Sequence, residues 1–127
     1  MSGNYFFDTN TIIYFLKGMD PWVRFVNETH LDKCYASIIT RMELLSWPSL
    51  SPTGQTRIKE FLSELTVCPL NEDVEAQAIA LRRSTKLKLP DAIIVASALH
   101  TDSTLITHDK YLVDLDWSDL RIVDPCE

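Results

Sequence analysis

Tyr5-Phe6-Phe7-Asp8-Thr9-Asn10 is the stretch that decides how this chain is read. Three consecutive aromatic residues suit a strand covered by protein, and the run stops abruptly at an Asp-Thr-Asn triplet. Residues 11–17 then read as a helix closed by Gly18. The first unit is therefore a strand, an acidic turn and a helix.

Working outward, the same alternation recurs. Pro21 opens a second helix whose Trp22, Phe25 and Val26 share one face. Cys34-Tyr35-Ala36 reads as a second strand, followed by a helix over residues 39–47 that Pro48 stops. Ser51 caps and Pro52 starts a helix reaching about residue 65, with Ile58, Phe61, Leu62 and Leu65 as its apolar stripe. Residues 66–70 form a third strand, and Asn71 caps a long helix ending near residue 86. Pro90 starts the next helix, from Asp91 to about His100. Its Ile93, Ile94, Val95, Ala96, Ala98 and Leu99 leave almost no polar side, so it packs deeply. Residues 104–107 and 120–123 read as a fourth and a fifth strand. Strands alternating with helices predict an α/β layer fold with a mainly parallel sheet.

The bulk composition narrows the class. A chain of 127 residues has room for one domain with a real core, and 46% hydrophobic with 24% charged residues is ordinary globular composition. The longest apolar runs, such as residues 92–96, are too short to span a bilayer, and residues 1–4 lack the pattern of a signal peptide. Cys34, Cys68 and Cys126 are an odd number without close spacing, which predicts reduced thiols in a cytoplasmic protein rather than a disulfide frame or zinc site. His30, His100 and His108 have no paired metal spacing either, which also argues against zinc. The net charge of −6 argues against a bare electrostatic grip on nucleic acid. Two divalent ions held by carboxylates would reduce that to about −2.

In parallel sheets, ligands bind beyond the carboxyl ends of the strands. Asp8 follows the first strand directly, and Asp109 stands just after the fourth. Asp91 falls in the first turn of the buried helix. Glu43 lies in the helix after the second strand, bracketed by Met42, Leu44 and Leu45, where an unpaired charge is expensive. Each acid has a plainer explanation: Asp8 and Asp91 as helix starts, Asp109 as a turn residue, Glu43 projecting to solvent. Together they predict four carboxylates at one end of one sheet, whose natural partner is a hard divalent cation.

Four segments carry a resemblance: Asp8-Thr9-Asn10 after a strand, Arg41-Met42-Glu43-Leu44, Leu89-Pro90-Asp91-Ala92-Ile93-Ile94-Val95-Ala96-Ser97-Ala98, and Leu105-Ile106-Thr107-His108-Asp109. In this order the chain resembles a PIN domain, and in particular the VapC-type toxins of bacterial toxin–antitoxin pairs. The resemblance covers essentially the whole chain, and the stretch around Asp91 is its most specific part. It implies a three-layer fold, a mainly parallel central sheet flanked by helices, over one domain spanning residues 1–127. It also implies Asp8, Glu43, Asp91 and Asp109 as catalytic, metal-binding acids, with Asn10 and Thr107 supporting them. Asp102, Asp114 and Asp116 lie close enough in sequence to Asp109 to compete for the fourth place. The implied activity is magnesium- or manganese-dependent hydrolysis of RNA phosphodiesters, in a structured RNA such as transfer RNA. The implied partners are a small antitoxin and a second copy of the chain, with the Trp22-Phe25-Val26 face available for contact.

Arg82, Arg83 and Lys86, with Lys88, stand just upstream of Asp91 and could steer an RNA backbone, although cations at a helix end also simply suit its dipole. Trp22, Phe25 and Trp47 are expected in the core before any partner surface. Other classes fit less well. Asp8-Thr9-Asn10-Thr11 resembles the Asp-x-Asp-x-Thr motif of haloacid-dehalogenase-type phosphatases, but Asn10 stands where that chemistry needs an acid. A receiver-like signalling module would want its phosphoacceptor after the third strand, where Leu70 leads into Asn71. A stand-alone PIN nuclease and a catalytically silent PIN scaffold are the remaining alternatives, and the intact set of four acids speaks against the second.

Overall fold

Phe6 and Phe7 are both wholly buried, and successive residues of a strand point to opposite faces. Cover is therefore required on both sides of that strand. The computed structural model, which describes residues 3–127, supplies it from helices on each face. In chain order the elements are β1 (Tyr5–Phe7), α1 (Thr9–Leu16), α2 (Asp20–Asn27), a 3₁₀ turn at Leu31–Lys33, β2 (Cys34–Ser37), α3 (Ile38–Leu45), α4 (Pro52–Ser63), β3 (Thr66–Cys68), α5 (Glu72–Ser84), α6 (Leu89–His100), β4 (Thr104–Ile106), α7 (Lys110–Asp114) and β5 (Ile122–Val123). The five strands form one parallel sheet in the order β3-β2-β1-β4-β5.

The sheet divides the core in two. On one face Phe6, Cys68 and Leu105 meet Val74 and Ala78 of α5 and Ile93, Ile94 and Ala98 of α6. On the other, Phe7, Ala36 and Ile106 meet Ile12 of α1, Val26 of α2, Leu44 of α3 and Ile58, Phe61 and Leu62 of α4. This is the layered α/β arrangement that the alternation of strands and helices predicts, in the three-layer form that the resemblance implies. Seven consecutive residues of α6, from Ala92 to Ala98, are buried, as its nearly uniform apolar sequence requires. No helix among the described residues is long and apolar enough to cross a membrane.

The departures from the sequence-based boundaries have local causes. α1 begins at Thr9 rather than residue 11, because the Asp8 side chain caps it by accepting Thr11 N–H at 2.8 Å. Gly18, at φ 78°, takes the left-handed turn after α1. β3 stops at Cys68, since Pro69 has no N–H for a ladder. α5 ends at Ser84, where the Thr85 hydroxyl turns back to donate to Leu81 O at 2.7 Å. Leu89 and Pro90 already belong to α6. α3 ends at Leu45, so Trp47 lies beyond it and is 48% exposed rather than core. The Trp22-Phe25-Val26 face turns inward instead, with Trp22 and Val26 buried, and so offers little to a partner. The 3₁₀ turn and the five-residue α7 carry no apolar periodicity long enough to announce them.

Phe7→Ala should destabilise the chain by about 3–5 kcal/mol, the usual cost of emptying a closed aromatic site. Urea unfolding followed by circular dichroism should show a lower midpoint at unchanged slope. A loss below about 1 kcal/mol would mean that the second face of β1 is not sealed.

Candidate metal centre

With β2 on one side of β1 and β4 on the other, chain connections diverge from β1 in opposite directions. The crevice beyond the carboxyl ends of β1 and β4 is thus the topological switch point, where open parallel sheets bind ligands. Asp8 emerges there from β1, and Thr107, His108 and Asp109 emerge from β4. A separate hollow of about 550 Å³, lined by Asp102, Ser103, Thr104, Asp119 and Arg121, lies at the other end of β4 and contains none of the four acids.

Asp8 is 7% exposed, and both of its carboxylate oxygens accept hydrogen bonds. Oδ1 takes the Thr11 N–H at 2.8 Å, and Oδ2 takes the hydroxyl of the fully buried Thr107 at 2.5 Å. The same Thr107 oxygen accepts the Asp109 N–H at 3.1 Å. One hydroxyl thereby joins the acid after β1 to the backbone of the acid after β4. Asp109 is exposed and spends Oδ1 on capping α7, accepting Tyr111 and Leu112 N–H at 2.9 and 3.4 Å. Asp109 raises the proton affinity of both Asp8 and Asp91, whereas Asp102 sits before β4 at the far end.

Glu43 is exposed rather than set against the apolar surface that its sequence neighbours suggested. α3 turns Leu44 inward and leaves Met42 and Glu43 outside. A hydroxyl relay holds it in place nonetheless. The Thr9 hydroxyl donates to Glu43 Oε1 at 2.6 Å, and the Thr9 and Thr40 hydroxyl oxygens are 2.8 Å apart. Asn10, expected to support the acids, is exposed and makes no side-chain hydrogen bond among the described residues. Its neighbour Thr9 does that work, and neither Thr9 nor Thr40 stood out in the sequence.

Asp91 is half-buried in the first turn of α6, one turn after Lys88, which occupies the cap position without a side-chain bond. It is thus not the helix cap. Burial pushes the Asp91 carboxyl above its ordinary value, and the charges of Asp109, Asp8 and Glu43 push it further, against a small opposing effect of Lys88. Burial also raises the Asp8 carboxyl, with Asp109 adding to it, although the bonds from Thr107 and Thr11 work the other way. Three acids act on a fourth, so Asp8, Glu43 and Asp109 lie within electrostatic reach of Asp91. An oxygen-only set of carboxylates, with proton affinity raised at Asp8 and Asp91, suits a hard divalent cation, which would replace the protons and relieve the repulsion.

Around this rim the expected cations divide. Arg82 is committed to the loop before α6, its guanidinium donating to Leu87 O at 3.0 Å. Arg83 and Lys86 remain exposed, and the Lys86 N–H donates to the Tyr111 hydroxyl of α7 at 2.8 Å. That bond draws the basic loop up to the segment behind Asp109.

A family profile described as the PIN domain matches residues 5–118. Among solved structures, a toxin–antitoxin complex from Klebsiella pneumoniae contains a similar chain, at 28% identity and a TM-score of 0.79, covering 96% of this chain and 98% of that one. VapBC-1 from nontypeable Haemophilus influenzae matches at 25% identity and 0.78, covering 97% and 98% respectively. VapBC2 from Rickettsia felis, bound to a DNA fragment from their promoter, shares the fold at 21% identity and 0.79, covering 94% and 97%. Curated protein sequences give no significant match.

The carboxyls of Asp8 and Asp91 bind protons more tightly folded than at their ordinary value, so without metal their contribution to stability is full at low pH. It is lost as the pH rises through the raised values. Asp91→Asn removes one share of this loss and no cap bond. In chelator at neutral pH it should melt about 2–8 °C above the parent, and the gain should vanish in acid. Magnesium or manganese should reverse the ranking, because a cation stabilises the chain that binds it. A ranking indifferent to both pH and metal would remove Asp91 from the site.

Proposed function

Because this chain belongs to the PIN-domain family, a family of nucleases, we propose that it is a metal-dependent endoribonuclease and the toxin of a toxin–antitoxin pair. The observation that carries the proposal is the tie through Thr107 between Asp8 and the backbone of Asp109 at the switch point of a parallel sheet, with Asp91 half-buried within electrostatic reach of both. Asp8, Glu43, Asp91 and Asp109 would hold magnesium or manganese. Such a cation lowers the pKa of bound water and neutralises charge gathering on a phosphodiester.

The chain's own groups have definable tasks. Thr107 fixes the Asp8 carboxylate so that no reorganisation is needed when substrate arrives. Thr9 restrains the exposed Glu43, whose side chain would otherwise sample several rotamers. Arg83 and Lys86 meet the phosphate backbone at the Asp91 side, while the net charge of −6 keeps grip without a cation weak. Water as nucleophile leaves a 5′-phosphate and a 3′-hydroxyl. The substrate is an unpaired loop of a structured RNA such as a transfer RNA, since bases there can splay out to be read. Reduced buried thiols at Cys34 and Cys68 accord with work in the cytoplasm.

For the antitoxin, support comes from the relatives at 28% and 25% identity, which are parts of toxin–antitoxin complexes. A groove between α1, α3 and α4, lined by Ile13, Leu16, Leu44, Trp47 and Ile58, offers an apolar segment a seat, with Trp47 half-exposed beside it. An Arg from the same partner would match the carboxylates, its guanidinium fork fitting them two at a time. Since Trp22 and Val26 are buried, a homodimer would have to use a different face from theirs.

Asp8→Asn and Asp91→Asn should each lower RNA cleavage by at least about 100-fold while the chain stays folded, and Glu43→Gln nearly as much. The check is mapping of new 5′ ends in RNA after induction, beside cleavage of the same RNA in vitro with chelator and with restored metal. Undiminished cleavage in excess chelator would defeat the metal-dependent reading. Trp47→Glu should weaken inhibition by the proposed antitoxin by about tenfold or more without altering cleavage. Unchanged inhibition would move the antitoxin to another surface.

A further inference from the structure

Beyond the carboxyl ends of β4 and β5, outside the four-carboxylate cluster, His108, Asp124 and Cys126 come together. One potential ligand atom of each lies within 4.8 Å of the other two. The His108 Nδ1 stands 2.8 and 3.0 Å from the two Asp124 carboxylate oxygens, and Asp124 is only 8% exposed. Asp124 Oδ1 also accepts the Cys126 N–H at 2.9 Å, a local turn that folds the thiol-bearing residue back over the carboxylate. On its other side the imidazole meets Trp22, ring centroids 5.7 Å apart and planes at 83°, which steadies its orientation. The His108 side chain remains 43% exposed, so solutes reach it.

We propose that His108, Asp124 and Cys126 form a second cation site, for one borderline-soft divalent ion of the zinc type. The donor set decides the class. One imidazole nitrogen, one carboxylate oxygen and one thiolate sulfur match zinc, which takes all three ligand types in four-coordinate sites. Magnesium and calcium prefer oxygen alone. Three protein ligands leave a fourth position for water. Binding releases the Cys126 thiol proton to solvent and needs no other reactant. The absence of a paired His or Cys spacing in the sequence spoke against zinc; here the ligands come from two segments joined only by the pairing of β4 with β5. Because His108 lies between Thr107 and Asp109, an occupied site would also hold the segment that carries two groups of the carboxylate cluster. The plain alternative is a His–Asp hydrogen bond with an incidental surface thiol.

Cobalt titration of the metal-free chain separates the two, since cobalt reports thiolate ligation by a near-ultraviolet charge-transfer band. Cys34 and Cys68 are buried, so the band reports Cys126. We expect one cobalt per chain with that band, displaced by zinc, indifferent to excess magnesium and retained in Asp8→Asn. Cys126→Ser should abolish the band, and His108→Gln should weaken binding roughly 10–100-fold. His108 and Cys126 are exposed, so both variants should fold, which near-ultraviolet circular dichroism would check. No band at stoichiometric cobalt, or a band of full strength and affinity in His108→Gln, would overturn the site. The outcome does not depend on nuclease activity.

Discussion

A strand covered on both faces can place polar groups only at its ends, and β1 is such a strand. Phe6 belongs to one core and Phe7 to the other, so the first residue free to be charged is Asp8. β4 repeats the constraint with Leu105 and Ile106, and the polar residues that follow them are Thr107, His108 and Asp109. The two strands are neighbours in register, Phe7 beside Ile106, so their polar ends emerge side by side. The hydrogen bond from Thr107 to Asp8 follows from that register. Chemistry gathers at this rim because nowhere else along the central strands can hold it.

The rim is held by hydroxyls more than by counter-charges. Thr107 serves Asp8, and Thr9 with Thr40 serves Glu43. A hydroxyl can orient a carboxylate without cancelling its charge, which an Arg or Lys in the same place would do. The charge therefore remains available, at the cost of repulsion that burial amplifies at Asp8 and Asp91. Among the described residues the trio drawn within 4.8 Å is His108, Asp124 and Cys126, and no three of the four carboxylates form such a group.

Much of this was legible in the sequence, because short apolar runs ending at acids betray buried parallel strands. The α/β alternation, the depth of α6 and the places of Asp8, Asp91 and Asp109 all follow from such local patterns. Met42, Leu44 and Leu45 surround Glu43 in sequence and suggest an apolar setting for its carboxylate. On a helix, however, the residues beside a side chain are those three and four apart, and adjacent ones point elsewhere. Whether Thr9 or Asn10 faces inward is not legible either, because which residue of a first turn does so depends on where the cap falls. The pairing of His108 with Asp124 lies across two strands and carries no sequence period.

The two clusters on this rim differ in kind. The carboxylates of Asp8, Glu43, Asp91 and Asp109, which we propose as hard ligands, stand on different elements, so their geometry depends on the whole sheet and on α3 and α6. His108, Asp124 and Cys126 are mixed ligands on two adjacent segments, and depend mainly on β4 pairing with β5. Affinity order alone would let a softer metal enter either cluster, so discrimination has to come from donor type and spacing. A sulfur ligand two residues after Asp124 gives the second cluster the stronger claim on zinc-like ions. Competition between ions for this rim is then resolved by ligand chemistry, with the harder ions left to the carboxylates.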